Sequence, residues 1–163
     1  MVKKTFFGLL FVLALMSCAK KNDLKPLSLL DYGIPLTIMA PDSASIKHEK
    51  LAIEEDITIT APASNYKLQI FISEATHSDP SKLVEEQKGV VKQNPYFTKI
   101  TDEDPDGFIF ESNIDSTKTF GFRRVKIMGD KEIIFREALL GTFSKEDIER
   151  MYHAVEGVKR KKK

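Results

Sequence analysis

The sequence predicts an α+β domain: a mostly antiparallel sheet of about six or seven strands with two helices packed on it. Three observations carry that expectation. Between residues 34 and 140, short runs rich in β-branched and aromatic residues recur, several alternating apolar with polar side chains. Their connections are mostly of hairpin length, which makes neighbouring strands antiparallel. Two stretches switch to helical spacing, and each begins at a recognisable cap.

Taken in order, the chain opens on a segment that is not part of the fold. Lys3 and Lys4 precede an apolar run over residues 6–16, and the run ends in Leu15-Met16-Ser17-Cys18. Crossing a bilayer takes roughly 20 apolar residues. This run is shorter, and Lys20 and Lys21 follow at once, so it has the proportions of a secretory signal. Cys18 is the single cysteine of the chain, which denies it an internal disulfide. An aliphatic residue, a variable one, a small one and then cysteine resemble the lipobox of bacterial lipoproteins. The resemblance implies that residues 1–17 are removed and that Cys18 carries a thioether-linked diacylglycerol and an acyl chain. Two or more such chains suffice for stable anchoring. Ala19 stands where Asp would retain an enterobacterial lipoprotein at the inner membrane. The resemblance therefore implies the outer membrane, on its periplasmic face.

Residues 18–33 lack sustained periodicity and contain Pro26 and Gly33. They are expected to form a flexible tether, on the order of 50 Å long when extended at ~3.3 Å per residue. A single domain over 34–158 follows, and 159–163 is expected to be a disordered basic tail. Of the 25 Lys and Arg, two belong to the signal and five to that tail, so the body carries 18 basic groups against 24 acidic ones. An acidic body argues against nucleic acid as a partner.

Ile34, Leu36 and Ile38 alternate as a half-buried strand, with Pro35 favouring a sheet edge. Pro41-Asp42-Ser43 is a turn. Residues 46–53 form a weaker strand; residues 57–60 and 66–72 are strong ones, joined across Pro62-Ala63-Ser64-Asn65. Asp79 caps a helix whose first position is Pro80. Leu83, Val84, Gln87, Val90 and Val91 mark its face, and Asn94-Pro95 ends it. Three strands follow, at 108–114, Thr117–Met128 and 131–140. Gly129 and Asp130 form a two-residue loop of the type II′ kind. That loop sets Arg124 opposite Phe135 and Val125 opposite Ile134. Phe120, Phe122, Ile133, Phe135 and Leu139 then share one face. Val125, Ile127, Ile134 and Ala138 share the other with Arg123 and Arg136, and that second face is only partly covered. Ser144 caps the last helix with Asp147 as its partner, and Phe143 and Ile148 are placed for a hydrophobic staple. Ile148, Met151, Tyr152 and Val155 make its apolar stripe, and Gly157 stops it.

Four strands, a helix, three strands and a helix, with Asn94-Pro95-Tyr96-Phe97, Pro105-Asp106-Gly107-Phe108 and Gly141-Thr142-Phe143-Ser144 at the turns and caps, resemble the PsbP-like family. The resemblance implies an α/β/α sandwich and an accessory, binding role without catalysis.

Asp102, Asp104 and Asp106, followed by Gly107, have the spacing of a calcium loop. The twelfth position is Asn113, which cannot supply a bidentate carboxylate, so the sequence favours an acidic turn or at most weak binding. Arg123, Arg124 and Arg136 are candidates for a face that binds an anion or a partner. His48, His77 and His153 lack metal-ligand spacing. No nucleophile-elbow, phosphate-loop, dinucleotide or His-Glu-x-x-His pattern occurs. The sequence thus predicts a non-catalytic envelope lipoprotein, docked on an envelope protein and needing no cofactor beyond its covalent lipid. A weak calcium- or anion-binding module is the alternative.

Overall fold

The computed structural model describes residues 24–157. The signal, Cys18 and the basic tail 159–163 lie outside the described residues. The strands are β1 (Leu24–Ser28), β2 (Thr37–Pro41), β3 (Ser45–Leu51), β4 (Glu54–Ala61), β5 (Tyr66–Glu74), β6 (Phe97–Asp104), β7 (Gly107–Ile114), β8 (Thr117–Met128) and β9 (Lys131–Glu137). Helix α1 (Pro80–Lys92) follows β5, and α2 (Lys145–Ala154) follows β9. Strands β3 to β9 form one seven-stranded sheet in the order β3-β4-β5-β9-β8-β7-β6, antiparallel throughout. The expected α+β class is the one adopted.

The sheet is covered unequally. On one face α2 and the β1–β2 hairpin close a core that runs from Ile57 and Ile59 through Leu68, Ile70 and Phe135 to Phe122 and Ile148. On the other face α1 covers only the β6–β9 half, where Leu83, Val84 and Val91 meet Phe108, Phe110 and Val125. Beyond α1 that face is polar and half-buried, with Asp56 and Thr58 on β4 and Gln69 on β5. Partial cover of the second face was the sequence expectation, and the register Arg124–Phe135 and Val125–Ile134 is also as expected. Gly129 sits at φ +65° while Asp130 stays at negative φ, the pattern of a type II′ turn. The caps hold too. Asp79 accepts from Ser81 N, Ser144 Oγ accepts from Asp147 N, and Phe143 and Ile148 share the same core.

Five expectations fail. The tether does not extend to residue 33. Leu24–Ser28 pairs with Thr37–Pro41, and Leu29 is wholly buried where the 3₁₀ turn Leu30–Tyr32 closes that hairpin. Ile34 and Leu36 sit in this closing loop, so the strand expected there begins later, at Thr37. Phe97–Asp104 is an edge strand that propensity did not reveal, because it is mostly solvent-facing and its register slips twice against β7. Leu139 is not a core residue: β9 ends at Glu137, and Leu139 and Leu140 are 75% and 83% exposed. Within α1, Val90 faces solvent and Lys88 is buried instead, held by Glu85 and Glu103.

The registers sort the connections into two poles. Ser45 lies beside Thr60, Leu68 beside Glu137 and Ile114 beside Thr117. The turns at 41–45, 61–66, 93–97, 114–117 and 137–145 therefore share one end of the sheet, and Leu24, paired with Pro41, enters there. The turns at 51–54, 104–107 and 128–131 occupy the other end, and α2 runs toward it.

Candidate functional site

Alternation on β8 and the register with β9 bring two of the three candidate arginines together. Arg123 and Arg136 are cross-strand neighbours on the α1 face, just where α1's cover ends. Glu137 compensates Arg123: Nη1 reaches its two carboxylate oxygens at 3.2 and 3.1 Å. The same carboxylate accepts from Phe122 N at 2.8 Å, which fixes it. The Arg123 guanidinium lies 5.4 Å from the centroid of the Phe110 ring, within cation–π reach. That ring and Glu137 fill the space above Gly121, where a Cβ would overlap the ring and come 2.7 Å from Glu137 Oε1. Glycine here permits the close approach that builds the site.

Arg136 is compensated far less. Among the described residues its one hydrogen bond runs from Nε to Gln69 Oε1 at 2.9 Å. Gln69 in turn donates to Asp56, and Asp56 and Glu137 favour the Arg136 cation through their charge alone, without a hydrogen bond to it. Burial, and then the like charge of Arg123, lower the Arg136 pKa from its ordinary value, although a guanidinium stays charged regardless. Two guanidiniums thus share one paired carboxylate. Beside them opens a cleft of about 330 Å³, lined by Val90, Asn94, Ile114, Phe120, Arg136 and Leu139 among others. Its size suits a small ligand or a side chain of a partner. An apolar rim with an under-neutralised guanidinium can hold a carboxylate or phosphate bidentately.

Arg124 does not belong to this site. A strand sends successive side chains to opposite faces, so Arg124 points into the α2 side and is buried. Its Nη1 contacts Asp104 Oδ2 at 3.2 Å and Glu156 Oε1 at 3.5 Å, and Nη2 lies 4.0 Å from Asp106 Oδ2. The Tyr152 ring stacks 4.7 Å from its Cζ, and Tyr152 Oη donates to Asp104 Oδ2 at 2.7 Å. Burial and that bond to a carboxylate push the Tyr152 pKa well up. Two of the three candidate calcium residues, Asp104 and Asp106, are thereby engaged by Arg124, while Asp102 accepts from Glu103 N. Asp102 and Asp104 end an edge strand, Asp106 lies in the tight turn to β7, and Arg124 supplies positive charge to Asp104 and Asp106. Among the described residues no group of three or more His, Cys, Asp or Glu is arranged to hold a metal ion.

The histidines are scattered as the sequence suggested. His48 pairs with Glu55 on the β3–β4 edge, and His153 with Glu156 on the surface. His77 meets Glu132, whose Oε1 accepts from Thr76 N, Thr76 Oγ1, His77 N and His77 Nδ1. Burial raises the Glu132 pKa, but the bonds from His77 and Thr76 outweigh it and leave a net lowering. Gln69, Phe110, Gly121 and Glu137 are the site residues that sequence reasoning missed. Register from the Gly129-Asp130 turn already set Glu137 opposite Phe122, a signal that could have found Glu137. Comparison with known proteins finds no matching family model, no matching curated protein and no matching solved structure.

Proposed function

We propose that this chain is a lipid-anchored envelope protein, acylated on Cys18, whose domain binds rather than catalyses. It docks on an envelope protein through the cleft beside Arg136. The observation that carries the site is the Arg136 guanidinium, half-buried beside Arg123 and hydrogen-bonded only through Nε among the described residues. A protein that keeps a desolvated charge without a carboxylate partner forgoes stability unless a ligand supplies the counter-charge. The signal and lipobox residues support the anchor and the outer-membrane address. A helix after the first run of strands and another after the last support a PsbP-like accessory role, with five strands before α1 and four before α2 in place of the expected four and three. The same guanidinium also supports a second reading, in which the occupant is a small free anion.

A photo-crosslinking residue in place of Asn94, at the cleft rim, tests the docking in living cells. It is expected to give a discrete protein adduct that disappears when Arg136→Gln is added. An adduct indifferent to Arg136→Gln, or none, overturns docking at this cleft. Titration of the purified protein with phosphate and acetate separates the small-anion reading, which requires saturable binding lost in Arg136→Gln.

A further inference from the structure

We propose that the pole where Leu24 enters the fold lies flat against the bilayer that holds the Cys18 lipid, with Leu139 and Leu140 inserted at the headgroup–acyl boundary. The proposal rests on the lipoprotein reading above. Six Cα–Cα steps separate Cys18 from Leu24, a reach of at most about 22 Å at ~3.6 Å per step. The twelve-residue β8 spans the sheet, about 40 Å at ~3.3 Å per residue. The leash is therefore too short for the far pole to touch the membrane when the domain stands upright, while the near pole is held against it.

That pole is built for the contact. Lys67 Nζ donates to Leu140 O at 3.1 Å, and Ala138 N donates to Lys67 O. This holds the exposed Leu139–Leu140 pair above a lysine. Tyr96 and Ile114, also exposed, lie in neighbouring turns of the same end, joined where Asn113 N donates to Tyr96 O. Side chains with apolar bodies and a rim of lysines suit an interfacial contact. Lys92, Lys118 and Lys145 stand at this end with Asp42, Asp115 and Glu146, a balanced set, whereas the opposite turns and strand ends carry Glu54, Glu74, Asp79, Asp102, Asp106 and Asp130 against Lys50 and Lys131. An anionic headgroup layer repels the acidic far pole and tolerates the balanced near one. The Arg136 cleft includes Ile114 and Leu139 in its lining, so it opens near the lipid surface. A docking partner must reach it at headgroup level, as a protein seated in the same membrane would.

The test uses the full acylated protein carrying Leu140→Cys, or Tyr96→Cys as a second site at the same pole, each labelled with an environment-sensitive fluorophore. Ile53→Cys is the control, since Ile53 is equally apolar and 78% exposed but sits at the far pole. The proteins are reconstituted into phosphatidylethanolamine–phosphatidylglycerol vesicles containing nitroxide-labelled lipid. Emission at residues 140 and 96 is expected to shift to the blue and be quenched several-fold more than at 53. Equal quenching at both poles in a protein that floats with the vesicles overturns the apposition alone. Failure of the protein to float, with no fatty acid on Cys18 by mass spectrometry, overturns the lipoprotein reading and the apposition together.

Discussion

Tyr152 and Arg124 converge on a single oxygen, Asp104 Oδ2, at 2.7 and 3.2 Å. This joins the last helix to the tight turn at the far end of the sheet. Tyr152→Phe removes one hydrogen bond to a charged acceptor and should cost about 1.5–3 kcal/mol. Asp104→Asn should also destabilise, because it strips Arg124 of its nearest counter-charge, leaving only Glu156 and the more distant Asp106. Urea denaturation reads both. Millimolar calcium should leave the melting temperature unmoved, since the guanidinium already pairs with two of the three carboxylates a cation would need.

Asp115 and Ser116 both adopt positive φ, +48° and +63°, in the two-residue turn between β7 and β8. That is the type I′ pattern, which favours Asn-Gly. Ser116→Gly should raise the free energy of unfolding by about 0.5–1 kcal/mol, read as a higher urea midpoint with an unchanged m-value. A lower midpoint would mean that the serine hydroxyl contributes more than the backbone conformation costs.

Gly121→Ala should behave oppositely. The new methyl meets the Phe110 ring and the Glu137 carboxylate, both already tied to Arg123. A loss of about 1–3 kcal/mol is expected from such overpacking. The Arg123–Glu137 pair should loosen with it, visible as a shifted Arg123 Nε resonance.

Glu132 sets part of the acid limit. Its folded pKa lies below its ordinary value, so its contribution is complete above the unfolded pKa of about 4.3. The contribution fades as pH falls through the lower folded value. Glu132→Gln should therefore destabilise at neutral pH and flatten the loss of stability below about pH 4.3. Parallel pH profiles for the two proteins would exclude this carboxylate as the source.

Arg136→Met separates binding from folding. Removing a desolvated cation that lacks a carboxylate partner should be neutral or stabilising, by up to about 1 kcal/mol, while the Asn94 adduct is lost. A destabilisation of several kcal/mol would show that Arg136 serves the fold.

The parts of this fold that local chemistry dictates were legible. Asp79-Pro80 and Ser144 announced both helices, and Gly129-Asp130 set the β8–β9 register without any tertiary information. What stayed hidden depends on partners distant in sequence. Phe97–Asp104 is a strand because β7 pairs with it, and its own exposed, twice-slipped pattern carries little period-2 signal. Leu24–Ser28 is likewise a strand only through its pairing with β2. Leu139 and Leu140 looked like the continuation of β9, yet the chain leaves the ladder after Ala138 and turns away. The acidic run read as a solvated turn or a weak calcium loop, because Arg124, which pairs with Asp104 and Asp106, comes eighteen residues after Asp106. Half of the candidate site was visible: Arg123 and Arg136 share a face by register alone, and the same alternation excludes Arg124. The counter-charge arithmetic around Arg136 needed the positions of Gln69 and Glu137.

Because the described chain begins at Leu24 and ends at Gly157, near opposite ends of the sheet, a pull applied between those two residues runs parallel to the strands. Strand β1 meets that load along its own axis, against a partner held by the whole domain through Tyr66 and Met39. Its five pairings with β2 then resist in shear, all at once, instead of opening one by one from an end. A hairpin of modest length placed in this way serves as a mechanical clutch, firm under a steady pull on Leu24 and weak only to a sideways peel.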